Sequence, residues 1–176
     1  RRTSLQVDTA SGLRALRLLP GPAGIGQVEV DMGEPSVFPQ ISIPLMELTY
    51  SVMPVSMGNP HCILFCPHPE EIALDVLGPA LEHHPVFPDR TIVEFVAVEG
   101  DQLRLRVWER GSGETLACGT GACAALAAAH FLGLCPPEVT ALLPGGSLVL
   151  SLDTASGHIR MTGPAVTVFE GEWPGG

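Results

Sequence analysis

Positive charge is scarce in this sequence. Nine Lys and Arg residues stand against 19 Asp and Glu residues, so the 176-residue chain carries a formal net charge of -10. Such a charge argues against a nucleic-acid backbone or an anionic membrane surface as a partner. It leaves room for a small zwitterionic or anionic substrate, because a helix N-terminus or a single arginine can reverse the field locally.

Long hydrophobic runs are also missing. No apolar stretch approaches the roughly 20 residues that span a bilayer. The Ala-rich segment 117–132 is too short, and Gly119, Gly121 and His130 interrupt it. No basic segment followed by an apolar one marks a secretory signal. We therefore expect a cytoplasmic protein with no membrane partner.

The cysteines lack the patterns of a disulfide scaffold or a zinc site. They are five, an odd number, at positions 62, 66, 118, 123 and 135. Scattered thiols of this kind are typical of a reduced cytosolic protein. The spacings Cys62-x-x-x-Cys66 and Cys118-x-x-x-x-Cys123 do not match the usual zinc motifs, so no metal is expected.

What the sequence does contain is a core, with 45% hydrophobic and 16% charged residues. Short strand patterns bounded by Gly and Pro dominate. A short helix is predicted at 79–84 and a long one at 119–132, closed by Gly133. A proline-bearing linker is predicted at 34–44. Strands are predicted at 5–8, 13–19, 27–31, 46–55, 61–65, 91–98, 102–109, 139–143, 147–153, 158–161 and 165–169.

Two features bear on whether this chain is part of a longer protein. It begins Arg1-Arg2-Thr3 without a methionine, which is typical of a fragment or a processed chain, and Asp8-Thr9-Ala10-Ser11-Gly12 recurs at 153–157. A tandem duplication explains the recurrence as well as chance or a shared turn preference does. If it is a duplication, the first copy's counterpart of Cys118 lies upstream of this chain.

The densest chemical signal runs from Glu109 to Ala124. A strand delivers Glu109 and Arg110, a glycine-rich loop follows, and Cys118 precedes a helix of small residues. The first turn of such a helix offers free N–H groups and the positive end of the helix dipole. It can bind a carboxylate and lower the pKa of a thiol, which predicts a reactive thiolate near neutral pH. Gly119 and Gly121 have no side chains to block a ligand's approach to that turn, and Thr120 adds a hydroxyl donor.

Plainer interpretations compete with this one. A cysteine in Ala-rich sequence is most often a small buried hydrophobe, as we expect for Cys123. The turn Gly58-Asn59-Pro60-His61 is explained by the turn preference of asparagine. His61 by itself is more often a satisfied, partly buried histidine than a catalyst.

Taken together, these segments resemble the C-terminal half of diaminopimelate epimerase. The matching stretches are 58–65, 87–91 with 93–95, and 104–125, including Ala-Cys-Gly-Thr-Gly-Ala-Cys-Ala, and 28–35 resembles the end of the family's first domain. The resemblance implies an α/β (α+β) fold with a mostly antiparallel sheet wrapped around a central helix, one full domain of a pseudo-symmetric pair. It divides the chain into residues 1–43 as a remnant of the N-terminal domain, 44–161 as the C-terminal domain, and 162–176 as a closing strand that returns to the first.

The resemblance also implies a reaction. L,L-diaminopimelate would be converted to the meso form, in lysine and peptidoglycan precursor synthesis, by two cysteines and with neither pyridoxal phosphate nor metal. Cys118 would be one of these acid/base thiols, and His61 would tune their electrostatics. The substrate-binding residues would be Asn59, Glu109, Arg110, Gly119 and Thr120. The enzyme would be a homodimer, and this chain would be inactive without the N-terminal domain, whose cysteine motif it lacks.

One departure from the family pattern leaves the substrate open. Ile92 stands where the family has a substrate-binding asparagine, and losing that polar contact would cost about 1–3 kcal/mol. The alternatives are a racemase or isomerase of the same superfamily acting on another amino acid, and a non-catalytic domain of this fold. A cysteine hydrolase using Cys118 and His61 is a further idea, against which stands the lack of an evident Asp or Asn to orient the histidine.

Overall fold

Strands account for most of the secondary structure in the computed structural model, which describes residues 3–9, 12–21 and 26–172. Two helices occur in these residues, α1 (Leu74–Glu82) and α2 (Gly119–Phe131), with a short 3-10 turn at Pro69–Glu71. The strands are β1 Ser4–Thr9, β2 Gly12–Leu19, β3 Gly26–Gly33, β4 Ser36–Val37, β5 Ile41–Leu45, β6 Leu48–Ser56, β7 Pro60–Phe65, β8 Ile92–Glu99, β9 Gln102–Glu109, β10 Gly113–Thr115, β11 Glu138–Leu143, β12 Gly146–Leu152 and β13 Ile159–Ala165.

These strands form one open sheet. Its order is β1-β2-β3-β13-β12-β11-β9-β8-β7-β6-β4, with β10 added to β9 and β5 added to β6. Two pairs of strands, β7 with β8 and β9 with β11, are parallel, whereas the other pairs of described strands are antiparallel. The mixed α+β fold with a mostly antiparallel sheet is therefore confirmed.

The β8–β9 hairpin was expected from its alternating pattern and is present. Its register places Glu99 opposite Gln102 across the turn. In β9 the side chains of Leu103, Leu105 and Val107 are fully or almost fully buried, while those between them are only partly buried. Alternate residues of a strand point to opposite faces, so this hairpin presents a different set of side chains to each helix.

Each face of the sheet packs against one helix. On one face α2 lies in a core of aliphatic and small side chains that includes Ile63, Val96 and Leu105. On the other face α1 packs with Cys62, Phe95 and other apolar residues of the same strands. The strands β7, β8 and β9 therefore separate two cores, and the face toward α2 is the one on which the candidate site lies.

Helix α2 is buried on nearly all sides. Residues 121–129 are all buried, and Leu126 is the only side chain among them larger than cysteine. Small side chains let the surrounding strands approach the helix backbone closely, and alanine has the highest intrinsic helix propensity. The helix ends at Phe131, and Gly133 follows with φ 70°, as predicted for its C-terminal end.

Three local predictions were wrong. The segment 34–44 is not a linker, because it forms β4 and β5, and Pro44 is accommodated where β5 pairs with β6. Helix α1 begins at Leu74, and Pro79 lies inside it. The strand expected at 165–169 is absent, because β13 runs unbroken to Ala165 and the described residues after it have no strand neighbour.

The early part of the chain joins the sheet through the last strand. In β13, Thr162 pairs with Glu29 of β3 on one side and with Val149 of β12 on the other. The division into domains at 43 and 161 stays a prediction. Residues 1–2, 22–25 and 173–176 of the predicted first and last segments lie outside the described residues, as do Ala10 and Ser11 of the repeat. Within the described ranges, no helix has both the length and the hydropathy needed to cross a membrane.

Candidate active site

The thiol of Cys118 lies at the entrance of α2. Cys118 is the N-cap residue, with extended backbone angles, and its carbonyl accepts the N–H of Ala122 at 3.0 Å. The first turn of the helix contains no acidic side chain. The N–H of Gly121 bonds to the Cys118 sulfur, whereas the N–H groups of Gly119 and Thr120 have no carbonyl within the helix to bond, so they are available to an anion.

The pKa of this thiol is not lowered, contrary to expectation. The pKa of Cys118 is raised to about 11: burial is the largest cause, the nearby carboxylates of Glu94 and Glu109 add to it, and hydrogen bonds from Thr120 and from the N–H of Gly121 offset it only in part. Cys118 is 7% exposed, so its thiolate would lose most of its hydration. At neutral pH the residue is therefore a thiol.

A polar chain links the Asn-Pro-His turn to Cys118. Asn59 Nδ2 donates to Thr120 Oγ1 at 3.4 Å, and Thr120 Oγ1 lies 3.6 Å from Cys118 Sγ. Because the threonine oxygen accepts from Asn59, its own hydrogen is free to point at the sulfur. The turn before β7 and the first turn of α2 are thus held together beside the thiol.

His61 is paired with a carboxylate that the sequence argument did not single out. Its Nδ1 lies 2.6 Å from Glu94 Oε1, and both side chains have no exposed surface. His61 Nε2 and Glu94 Oε2 have no hydrogen-bond partner among the described residues. Burial raises the pKa of Glu94, although His61 opposes the shift.

Glu109 and Arg110 lie at the end of β9, as expected, and each has a partner. Glu109 Oε1 accepts from Thr115 Oγ1 at 2.9 Å, and its charge acts on Cys118 and Glu94. Arg110 Nη1 donates to the carbonyl of Asp89 at 2.9 Å in an exposed position. Arg110 is therefore held to the neighbouring loop.

The other predicted residues also lie at this end of α2. A Cβ on Gly119 would lie 3.0 Å from the sulfur of Met161, so the first turn packs closely against β13. Cys123 lies deeper in the helix and is fully buried, as predicted. In the described ranges, no group of three or more His, Cys, Asp or Glu side chains could hold a metal ion. Whether the protein uses a metal or a cofactor stays a prediction.

Glu94 was not predicted as a site residue, although the sequence contains a pattern that points to it. Glu94 is the one charged residue in the run from Ile92 to Val98. An acid at an inward-facing position of a buried strand needs a partner. The identity of that partner follows only from the parallel pairing of β7 with β8, in which His61 lies opposite Ile92.

Comparison with known proteins gives one consistent family. Residues 53–168 match the family model described as diaminopimelate epimerase. Curated diaminopimelate epimerases from Thermosynechococcus vestitus and Acetivibrio thermocellus are 46% and 42% identical to the chain, each over 96% of it. One from Methanococcus maripaludis is 41% identical over 97% of the chain. The chain spans about 65% of the length of the first two of these relatives.

Solved structures agree on the fold. A hydroxyproline epimerase from Agrobacterium vitis superposes with a TM-score of 0.69 at 17% identity, covering 92% of this chain and 58% of that one. A predicted epimerase from Pseudomonas aeruginosa gives 0.66 at 18% identity, covering 95% and 67%. At such identities the likeness extends to the fold alone, and the family rests on the sequence matches. By those matches, the chain belongs to the diaminopimelate epimerase family.

Proposed function

We propose that this chain supplies one of the two acid/base thiols of a diaminopimelate epimerase, an isomerase that converts L,L-diaminopimelate to the meso form. The observation that carries the proposal is the placement of Cys118 at the free N-terminus of α2, with Thr120 and Asn59 beside it. Its family relatives bear the name of this activity.

The chemistry is a proton exchange at one carbon. A base on one face of the substrate removes the α-proton, and the electron pair of the C–H bond is left as a carbanion or enolate. An S–H on the opposite face then delivers its proton to that carbon and becomes a thiolate. With a pKa of about 11, Cys118 at neutral pH is the proton donor of this pair. The base would be a second cysteine, contributed by a domain that this chain does not contain.

The first turn of α2 would stabilise the charge that develops. The N–H groups of Gly119 and Thr120 would hold the carboxylate next to the reacting carbon. Fixed dipoles in a site that excludes water stabilise such an anion more than solvent does. The chain has no lysine, so none of its own residues could form a Schiff base with pyridoxal phosphate.

Three further side chains would bind the substrate, two of them at its far end. Asn59 borders a cavity of about 210 Å³ that Arg90 and Phe87 also line. Glu109 would bind the distal ammonium group and Arg110 the distal carboxylate, because opposite charges and bidentate geometry match these groups. This requires Arg110 to exchange the carbonyl of Asp89 for the substrate.

The proposal extends to the whole protein. It includes the upstream domain, a homodimeric assembly and a cytoplasmic location. Without the upstream domain, only one face of the substrate would meet a thiol. The isolated chain should therefore not invert diaminopimelate at a measurable rate.

The decisive experiment is α-proton exchange in deuterium oxide. L,L-diaminopimelate is incubated with the longest natural form of the protein, with Cys118→Ala, and with Cys123→Ala as the matched control in the same helix. Deuterium uptake with inversion should fall by about 10³-fold in Cys118→Ala, within the range of general acid–base catalysis. It should stay within a few-fold in Cys123→Ala. Equal rates in the two variants would remove Cys118 from the mechanism.

A second candidate, a racemase or isomerase for another amino acid, is favoured by one observation. Ile92 is 6% exposed and lies opposite His61 in the parallel pairing of β7 with β8, so an apolar side chain lies beside the site. A panel of amino acids assayed with the parent and with Ile92→Asn separates the two candidates. Inversion of another substrate, with diaminopimelate unchanged, would favour this candidate. No exchange with any of them by a natural form that has both cysteines would indicate a non-catalytic domain.

A further inference from the structure

The buried His61–Glu94 pair has two polar atoms without partners. His61 Nε2 and Glu94 Oε2 are each inaccessible and make no hydrogen bond within the described residues. A buried polar atom without a partner lowers the free energy of unfolding. Replacing a buried ionic pair by apolar side chains is often neutral or stabilising. Stability therefore does not explain why this pair is present.

The pair lies directly against the first turn of α2. A Cβ placed on Gly121 would lie 2.6 Å from Glu94 Oε1 and 3.3 Å from Cys118 Sγ. The same oxygen of Glu94 contacts His61 Nδ1 at 2.6 Å. One carboxylate oxygen thus meets both the imidazole and the helix turn that carries the thiol, and glycine at position 121 makes that approach possible.

Besides Glu94, other ionisable groups of the described residues act on Cys118. From β9 there is Glu109, and from α2 itself the buried thiol of Cys123. The neighbouring strands contribute apolar side chains to the same core: Val55 of β6, Leu150 of β12 and Ile159 of β13. The negative charge near Cys118 thus comes from Glu94 and Glu109.

We propose that Glu94 is a positioning residue that orients His61 and places its charge against the helix turn that carries Cys118. Its carboxylate accepts the Nδ1 proton, which leaves Nε2 as the unprotonated ring nitrogen. The same carboxylate places a negative charge beside the thiol and shares the positive end of α2 with it. Glu94 therefore sets both the orientation of the imidazole and the resistance of Cys118 to ionisation. A role of this arrangement in catalysis rests on the proposed function. The orientation of His61 and the ionisation of Cys118 can be measured without it.

The tautomer of His61 can be tested in the unaltered protein. Nitrogen-15 spectra of histidine-labelled protein at pH 8, with His61 assigned from its loss in His61→Asn, report which ring nitrogen carries the proton. A proton on Nδ1 and a bare Nε2 are expected. A proton on Nε2 would show that Glu94 does not hold the imidazole as proposed, and it would overturn the inference.

The effect of the Glu94 charge on the ionisation of Cys118 can be tested with an isosteric variant. Glu94→Gln keeps a hydrogen-bond acceptor for Nδ1 and removes the charge, while Glu99→Gln makes the same change at the exposed end of β8. Alkylation of Cys118 by iodoacetamide is followed between pH 7.5 and 9.5 by mass spectrometry of its peptide. Removing a charge this close should lower a thiol pKa by about one unit. Cys118 in Glu94→Gln should therefore react roughly 3–10 times faster, since the gain in thiolate exceeds the loss in nucleophilicity.

The controls separate this inference from the proposed function. Glu99→Gln should match the parent, and Glu94→Asp, which retains the charge, should react within about twofold of it. Equal alkylation in Glu94→Gln and Glu99→Gln, both shown to be folded by circular dichroism, would overturn the inference. If Glu94→Gln does not fold, the tautomer measurement decides alone. Since neither measurement involves turnover, a missing epimerase activity would count against the proposed function only.

Discussion

Two buried carboxylates lie on opposite sides of the same strands and differ in how they are satisfied. Glu82 of α1 is 3% exposed and accepts hydrogen bonds from Trp108 Nε1 at 2.8 Å, from the N–H of Gly111 at 2.9 Å and from Arg90 at 3.2 Å. Glu94 of β8 is fully buried, and one of its oxygens has no partner. The first carboxylate is enclosed by donors and the second is not.

The difference indicates what each residue is for. Glu82 joins a helix, a strand and the loop before β10, so its hydrogen bonds hold the fold around the site. Glu94 has one oxygen without a hydrogen-bond partner near a thiol, as expected where a group must respond to a change in charge. Stability measurements should therefore respond strongly to changes at Glu82 and weakly to changes at Glu94.

The largest expected effect is that of removing the Glu82 side chain. Glu82→Ala would remove the carboxylate that accepts from the indole N–H of Trp108, the backbone N–H of Gly111 and Arg90, at a cost of about 3 kcal/mol in the free energy of unfolding. Urea titration of this variant and of Glu71→Ala, a change at an exposed glutamate, would measure it. A loss below about 1 kcal/mol would mean that solvent satisfies these donors. The claim that Glu82 stabilises the fold more than Glu94 does would then be wrong.

The next effect concerns the packing that places Trp108 near Glu82. A Cβ on Gly78 would lie 2.5 Å from the Cγ and Cδ2 atoms of the Trp108 ring, which cannot move aside as a flexible chain end would. Gly78→Ala should therefore cost about 2 kcal/mol, despite the better helix propensity of alanine. In a Trp108→Leu background the cost should largely vanish, and a double-mutant cycle by urea titration measures that coupling. Additive losses would contradict the contact.

Local patterns in the sequence were enough to find the thiol. The Gly- and Ala-rich segment around Cys118 predicted a helix and placed the cysteine at its start, and both are observed. Helix propensity and glycine at the helix end depend on neighbouring residues only. The alternation of Leu103, Leu105 and Val107 identified the β8–β9 hairpin in the same way.

The features that sequence missed depend on distant contacts. The pairing of His61 with Glu94 joins residues 33 positions apart and requires the parallel register of two strands. Proline at position 79 suggested a helix start, but burial of Leu74, Gly78 and Leu81 on one side holds the helix together around it. Burial of Cys118 is likewise a property of the folded chain, and it reversed the expected direction of the thiol pKa shift.

A smaller effect is expected at the unsatisfied carboxylate. Glu94→Gln removes a buried charge and its desolvation penalty while keeping an acceptor for His61 Nδ1. We expect the free energy of unfolding to change by no more than about 1 kcal/mol, against about 2 kcal/mol lost in Glu82→Gln, which breaks a charge-assisted pair with Arg90. Urea titrations of the two variants at one pH test this directly. Equal losses would mean that Glu94 is as structural as Glu82.

The smallest expected effect on stability is that of changing Asp31, a half-exposed carboxylate. Asp31 of β3 lies 3.0 Å from His158 Nδ1, which joins the early strands to the segment before β13. Burial alone would raise the pKa of Asp31, but hydrogen bonds from the N–H of Gly33 and from His158 together lower it below 3.8. A lowered carboxylate pKa means stability that is present above the unfolded value and is lost as pH falls through the folded one.

Since the Asp31 side chain is 42% exposed, its contribution should be only about 0.5 kcal/mol. Asp31→Asn should therefore be slightly less stable than the parent at pH 7, and the two should converge as pH falls through the folded pKa of Asp31, where the parent carboxylate also becomes protonated. Urea titrations across this pH range measure the difference. A gap that persists at the acidic end of the range would assign the effect of the substitution to the geometry of the β3–β13 pairing. A gap that closes would place Asp31 with Glu82 among the carboxylates that support the fold, and Glu94 would stand apart from both.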